Sequence, residues 1–311
     1  MRTYNGETFA EVYERVLKDV YKNPEFESSP RGMKIKEVTN AALVINDPTY
    51  PLYINKRRSS QLKYIGAELL WYFSGRNDVD FIEKFAKFWR NIENGDGTVN
   101  SAYGNLLFTE KNEHGYTQWE WAFNSLINDK DTRQALMHFN MPKHQIATNK
   151  DFVCTLTGLF QIRDNKLNFT VDMRSNDLIL GTPTDIAFFC LLQQQMLNLL
   201  KEKHYPDLEL GSYTHIVHSI HLYERHFDLV KEMLTEKFFE NGFPIVNENL
   251  IDKSSKTHPA INYLCKEIDN GTKKLRHDFH NDRLIDWIIE AVNGTFDDLI
   301  YNKENNTIVC N

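Results

Sequence analysis

Several classes of function are excluded by what the 311-residue chain has little of. Cysteine is scarce: Cys154, Cys190, Cys265 and Cys310 form no Cys-x-x-Cys pair. A zinc cluster or a thiol redox couple needs such close pairs, or histidines nearby on a shared element, so no metal site is expected. No apolar run reaches the ~20 uninterrupted residues that cross a bilayer. The longest such stretch, Asp185 to Leu200, is interrupted by three glutamines, and no membrane partner is expected. Behind the basic residue of Met1-Arg2-Thr3-Tyr4-Asn5-Gly6-Glu7 there is no apolar segment of the kind that directs secretion, which makes a cytoplasmic protein the expectation. Positive charge is not in excess. With 36 Lys and Arg against 43 Asp and Glu, the formal net charge is −7. That argues against a nucleic-acid polymer as partner, which needs many cations acting together, but a mononucleotide needs only a few local arginines.

What is there is an ordinary globular composition, 41% hydrophobic and long enough to bury a sizeable core, read here as a single domain over residues 1–311. Phe9, Val12, Tyr13, Val16, Leu17 and Val20 recur at helical spacing, so the opening segment is predicted as one amphipathic helix ended by Asn23-Pro24. Two short strands, Met33 to Val38 and Ala41 to Ile45, follow. Helices are predicted over Gln61 to Phe73, over Val79 to Trp89 with Asp78 as N-cap, and over Trp119 to Ile127. Gln134 to Phe139, Cys154 to Ile162 and Leu167 to Met173 read as strands, the last two joined by an Asp164-Asn165-Lys166 hairpin turn. Asp185 to Leu200 is the most apolar helix and is expected at the centre. Beyond Phe243 the pattern weakens, with a late helix near Leu284 to Val292. The mixture of elements makes the fold class α+β.

Chemistry-bearing residues are densest in two runs, Cys154-Thr155-Leu156-Thr157-Gly158 and Met173-Arg174-Ser175-Asn176-Asp177-Leu178-Ile179-Leu180-Gly181-Thr182-Pro183-Thr184-Asp185. A cysteine taken alone is more often a small buried hydrophobe than a nucleophile. Cys154 differs because Arg174, at the end of the next predicted strand, offers the cation that lowers a thiol pKa. Arg174 and Ser175 together offer a guanidinium fork and a hydroxyl suited to a dianionic phosphate. Glu68 sits beside Leu69, Leu70 and Trp71, surroundings that disfavour its ionised form and suit a group that passes protons. Taken alone it reads equally well as a polar residue at the solvent edge of its helix.

These runs, with Glu68-Leu69-Leu70-Trp71-Tyr72-Phe73, Trp89, Ser101-Ala102-Tyr103-Gly104, Asp131-Thr132-Arg133 and His221-Leu222-Tyr223, resemble the thymidylate synthase superfamily over roughly residues 60–230, leaving 244–311 divergent. The resemblance implies a mixed β-sheet packed with a long central helix, one sheet face forming the interface of a homodimer. It implies that Cys154 attacks C6 of a pyrimidine deoxynucleotide, with Glu68 and Tyr103 handling protons. Arg174, Ser175 and Arg31 would bind the phosphate, and Arg133 would reach it from the second subunit, so that active sites are shared. The family's adjacent arginine pair is reduced here, since position 134 is glutamine. His221 and Tyr223 match ribose-hydroxyl positions, though each alone, like Tyr103, reads as ordinary core. Trp89, Asp177, Leu180 and Gly181 match positions that hold the co-substrate 5,10-methylenetetrahydrofolate, the tryptophan giving a flat stacking face. Thr184 replaces the phenylalanine usual beside it.

Asp185 stands where enzymes that methylate dUMP carry asparagine. An asparagine amide can donate to uracil O4 and accept from N3–H, whereas an ionised aspartate only accepts. Cytosine offers an N4 amino donor and, when protonated at N3, a second one, so dCMP is expected over dUMP. The aspartate and the wording around Cys154 and Arg174 resemble the phage deoxycytidylate hydroxymethylases, which would place this chain in a host cytoplasm. In that reading water captures the C5 methylene, giving 5-hydroxymethyl-dCMP and tetrahydrofolate. The ending Thr307-Ile308-Val309-Cys310-Asn311 lacks the usual synthase terminus, which agrees with water entry. Two alternatives stay open: a pyrimidine C5-methylase, making dTMP or methyl-dCMP, and a non-catalytic nucleotide-binding assembly protein.

Overall fold

The computed structural model describes residues 1–244, 248–276 and 282–295; Cys310 and the ending around it lie outside the described residues. The chain folds as two compact units. The first takes Met1–Ser60, Asp129–Leu136 and Cys154–Phe243, and the second takes Gln61–Asn128, Met137–Val153 and the described residues from Pro244 onward.

The first unit is built on a mixed sheet, giving the expected α+β class. Arg2–Gly6 pairs in parallel with Ile35–Ile45, which runs antiparallel to Glu209–Tyr223. Glu209–Tyr223 then runs parallel to Lys166–Met173, and that strand forms a hairpin with Thr155–Arg163. Two helices pack on this sheet. Phe9–Lys22 buries the stripe Phe9, Val12, Tyr13, Val16, Leu17 and Val20, and the Thr8 hydroxyl accepts the Glu11 N–H at its start. The long helix Thr182–Lys203 lies against Lys166–Met173 and Glu209–Tyr223. Its glutamines do not interrupt it. Gln193 is fully buried and donates through Nε2 to the Leu167 carbonyl at 2.8 Å, tying the helix to the sheet.

The second unit centres on the helix Leu62–Phe73, which is buried from Ile65 to Phe73 and contacts helices Tyr103–Phe108, Pro259–Asp269 and Arg283–Asn293. Gln118–Asn128 completes this helical group through Tyr103–Phe108.

Four local expectations are corrected. The helix does not fill the opening segment, because Arg2–Gly6 is a strand. Met33 to Ile45 is not two strands: Ile35–Ile45 is continuous through Asn40, whose φ of 52° is one that asparagine tolerates. Val79 to Trp89 is not one helix but two single turns, Val79–Ile82 and Phe88–Asn91. Between them Lys84 and Phe85 donate to carbonyls three residues back, and apolar spacing alone does not separate such turns from a helix. Glu209–Tyr223, the longest strand among the described residues, is not among the predicted elements, because polar Tyr213 and His215 are buried in it and hide its alternation. The Asp164-Asn165 turn stands as expected, both residues at positive φ (49° and 58°) as a two-residue hairpin connection requires.

Candidate functional site

Hairpin register is what brings Cys154 to Arg174. From the turn, Gly158 pairs with Val171, and if that register ran on, Cys154 would face Ser175. A bulge between Thr155 and Thr157 slips the pairing by one residue, so Thr155 faces Met173. The Arg174 N–H then donates to the Cys154 carbonyl at 2.9 Å, and Arg174 Nη2 stands 3.4 Å from Cys154 Sγ. A guanidinium at this distance stabilises a thiolate. The other described cysteines have no such surroundings. Burial pushes the Cys190 thiol well up and the Cys265 thiol up to about 11, while Cys154 is partly exposed.

Past Arg174 and the half-buried Ser175 the chain tightens. Asn176-Asp177 pairs in parallel with Ile220-His221, which sets Asp177 beside His221. Asp177 Oδ1 accepts the backbone N–H groups of Ile179 (2.8 Å) and Leu180 (3.3 Å), and its Oδ2 faces Arg225 at 4.0 Å. This turn leaves Leu180 49% exposed, a large apolar side chain presented outward. Gly181 is required by close approach, since a Cβ there would meet Asn176 Nδ2 at 2.9 Å. His221 is buried and meets the Tyr223 ring edge-on at 5.0 Å, with Arg225 stacked 4.3 Å over Tyr223.

Asp185 lies in the first turn of the long helix and accepts from Asn176 Nδ2 at 2.7 Å. Desolvation pushes its carboxyl up to about 7, against the lowering effect of that hydrogen bond. Between the ordinary 3.8 and about 7 the folded chain holds a proton that the unfolded chain releases, so this residue's contribution to stability falls as pH rises through that window. Asp185→Asn is therefore expected to leave Tm nearly unchanged relative to the parent at pH 4 and to raise it by a few degrees at pH 8. Comparing variant with parent cancels the opposite slope from buried His215, whose pKa burial lowers to about 3. Equal Tm shifts at both pH values would refute the burial argument.

In the second unit three of the expected residues come together on a framework of tyrosines. Glu68 is 7% exposed, and its Oε1 accepts from the hydroxyls of Tyr64 (2.8 Å) and Tyr72 (3.2 Å), one helical turn to either side. Trp89 Nε1 donates to the Tyr64 oxygen at 2.9 Å, and Tyr72 stacks on Tyr103 at 5.3 Å. Gly104, next to Tyr103, allows this approach, because a Cβ there would fall 1.7 Å from the Tyr72 carbonyl oxygen. Glu68 is thus neither at a solvent edge nor in wholly apolar surroundings: hydroxyl donors hold it.

The structure does not bring every expected residue into these groups. Arg31, in a single turn at Pro30–Gly32, and Arg133 are both exposed, and among the described residues neither bonds to Cys154 or Arg174. Conversely, Asn176, which the motif contains without an assigned role, backs Asp185 together with His215 and Tyr213, and Tyr64 holds Glu68, none of them predicted as site residues. Spacing carried a signal for Tyr64, four residues before Glu68 on the same helix face. For Tyr213 and His215 the signal needed the missed strand.

Comparison with known proteins follows the same lines. The thymidylate synthase family model matches residues 11–262. Deoxycytidylate 5-hydroxymethyltransferase of Enterobacteria phage T4 is 32% identical over 215 residues, covering 67% of this chain and 84% of that protein. Deoxyuridylate hydroxymethyltransferase of Bacillus phage SP01 is 29% identical over 233 residues, covering 72% of this chain and 59% of that protein. The solved structure of thermostable thymidylate synthase A from Bacillus subtilis superposes with a TM-score of 0.60 at 21% identity, covering 75% of this chain and 86% of that one, a likeness of fold.

Proposed function

The chain belongs to the thymidylate synthase family, and from that premise we propose that it is a deoxycytidylate 5-hydroxymethyltransferase. The reaction is dCMP plus 5,10-methylenetetrahydrofolate plus water giving 5-hydroxymethyl-dCMP plus tetrahydrofolate, in a host cytoplasm. The observation that carries the choice of base is Asp185, a carboxyl held by Asn176 where a uracil reader would present an amide. Ionised, it accepts from the N4 amino group and from a protonated N3, and protonation at N3 makes C6 more electrophilic.

The Cys154 thiolate, stabilised by Arg174 at 3.4 Å, attacks C6. Arg174 and Ser175 hold the phosphate, with Arg31 in support. His221 and Tyr223 bind the ribose hydroxyl. Glu68, gripped by Tyr64 and Tyr72 and linked through Tyr72 to Tyr103, moves protons and orders water. The folate co-substrate supplies the one-carbon unit. The residues assigned to it suit a flat heterocycle with N–H donors: Leu180 is exposed for apolar contact, Asp177 is an oriented acceptor and Trp89 is an aromatic anchored by its own N–H, while Gly181 lets Asn176 and Asp177 close up behind the turn. Mass analysis of the nucleotide after incubation with dCMP or dUMP and methylenetetrahydrofolate tests the reading. A hydroxymethyl product from dCMP supports it; a methyl product, or turnover of dUMP alone, rejects it.

The proposed enzyme is a homodimer in which each site borrows Arg133, exposed in the single chain, across a sheet-face interface. Mixing inactive Arg133→Ala with inactive Cys154→Ala is then expected to restore roughly a quarter of the activity, because a random half of the dimers are mixed and each mixed dimer has one intact site. If subunits exchange, followed by native mass measurement, and no activity returns, the sites are not shared.

A further inference from the structure

Behind Asp185, on the side of the long helix and the strand Glu209–Tyr223, lies a buried chain of polar groups of which the mechanism above uses only the hydrogen bond from Asn176. Asn176 Nδ2 donates to Asp185 Oδ2 at 2.7 Å. Its other end, Oδ1, receives the Thr182 hydroxyl at 2.5 Å and stands 3.3 Å from His215 Nε2. His215 Nδ1 in turn stands 2.7 Å from the Tyr213 hydroxyl. Asn176 is 4% exposed, and Tyr213 and His215 are fully buried.

Donor inventory gives this chain a direction. A neutral imidazole has one N–H, and Asn176 Oδ1 can only accept, so the proton is on Nε2 and Nδ1 accepts from the Tyr213 O–H. Burial keeps the ring neutral, lowering its pKa to about 3. The Asn176 amide stands with its NH2 toward Asp185, and turning it over would require the imidazole proton to move to Nδ1 and the Thr182 and Tyr213 hydroxyls to turn with it, so the chain holds the amide as a unit.

We propose that Tyr213, His215 and Asn176 are positioning residues that hold Asp185 Oδ2 as a permanent acceptor and so set the enzyme's discrimination for the cytosine edge. The proposal rests on the reading of Asp185 as the residue that meets the base. An ionised carboxylate matches the N4 amino group and a protonated N3, and it leaves uracil O4 without a donor. A neutral carboxyl carries its proton on either oxygen and therefore suits uracil as well. Asn176 supports the ionised form and denies the proton one of its two places; the groups behind Asn176 keep it turned that way.

The test measures kcat/KM for dCMP and for dUMP at pH 8, with methylenetetrahydrofolate, in the parent and in His215→Phe, His215→Gln and Tyr213→Phe. His215→Phe keeps a ring but no donor, and it is expected to lower the dCMP:dUMP ratio by roughly tenfold or more, with use of dUMP rising. Tyr213→Phe should fall between it and the parent. His215→Gln, whose amide still donates toward Asn176 and accepts from Tyr213, should keep the ratio within about threefold of the parent. A packing defect alone lowers both substrates together and leaves the ratio where it was. That result in His215→Phe overturns the proposal; if His215→Phe fails to fold, the same result in Tyr213→Phe does so. Asp185→Asn, run alongside, separates the two levels. If it too leaves the ratio unchanged, the base-reading role of Asp185 is wrong. If it shifts the ratio and the other variants do not, only the positioning role fails.

Discussion

Cys154→Ala is expected to lower kcat by roughly 10⁴-fold or more while the affinity for dCMP changes by about threefold or less. The size follows from the kind of catalysis. Addition at C6 by a thiolate turns an unreactive pyrimidine into a C5 nucleophile, and no other group among the described residues stands in for the sulfur beside Arg174. Cys190 and Cys265 cannot substitute, since burial raises both thiols and neither is exposed. Affinity survives because the phosphate and ribose contacts assigned to Arg174, Ser175, His221 and Tyr223 do not involve the thiol. Cys154→Ser sharpens the test: it keeps the shape but puts a far weaker nucleophile beside the same guanidinium, and it should be nearly as inactive. The checks are single-turnover rates and equilibrium binding of dCMP. Turnover within tenfold of the parent in either variant contradicts covalent catalysis by Cys154.

How far the sequence led depends on what each inference needed. Cys154 and Arg174 were legible as a pair because a hairpin turn and two alternating strands placed them near one another, although the bulge that sets Cys154 opposite Arg174 rather than Ser175 was not. Side-chain pattern does not report a one-residue slip, because a bulge changes pairing without changing composition. Glu68 was legible as unusual, a carboxylate on an apolar helix, but its tyrosine donors were assigned no role, and with them went the link to Trp89 and Tyr103. The strand Glu209–Tyr223 was lost for a related reason. It buries polar side chains satisfied by other buried polar side chains, and hydrophobic alternation registers only the apolar part of a core. Asn176 gains its significance from a partner distant in sequence, His215, 39 positions away, whereas Tyr64 lies one helical turn from Glu68 and was missed because a tyrosine on an apolar helix reads as core.

Asp185→Asn is expected to move the ratio of kcat/KM for dCMP over dUMP by roughly two to four decades toward dUMP at pH 8. At that pH the parent carboxyl, with its pKa near 7, is mostly ionised, so it meets N4–H and a protonated N3 as a double acceptor and meets uracil O4 as a repulsive neighbour. The amide reverses both contacts. It donates to O4 and accepts from N3–H, and each matched or mismatched contact contributes about 1–3 kcal/mol, or about one to two decades. Residual dCMP use in the variant is expected wherever the asparagine side chain turns over, so that it accepts from the N4 amino group and donates to an unprotonated N3. In the parent, dUMP use should rise as pH falls below about 7, because a neutral carboxyl can donate to O4, while in the variant the ratio should not follow that titration. Steady-state kinetics with both nucleotides at pH 6 and pH 8 measures all of this at once. A parent that prefers dUMP at pH 8, or a variant whose ratio stays within about threefold of the parent's, means that Asp185 does not read the base, and the assignment of dCMP falls with it.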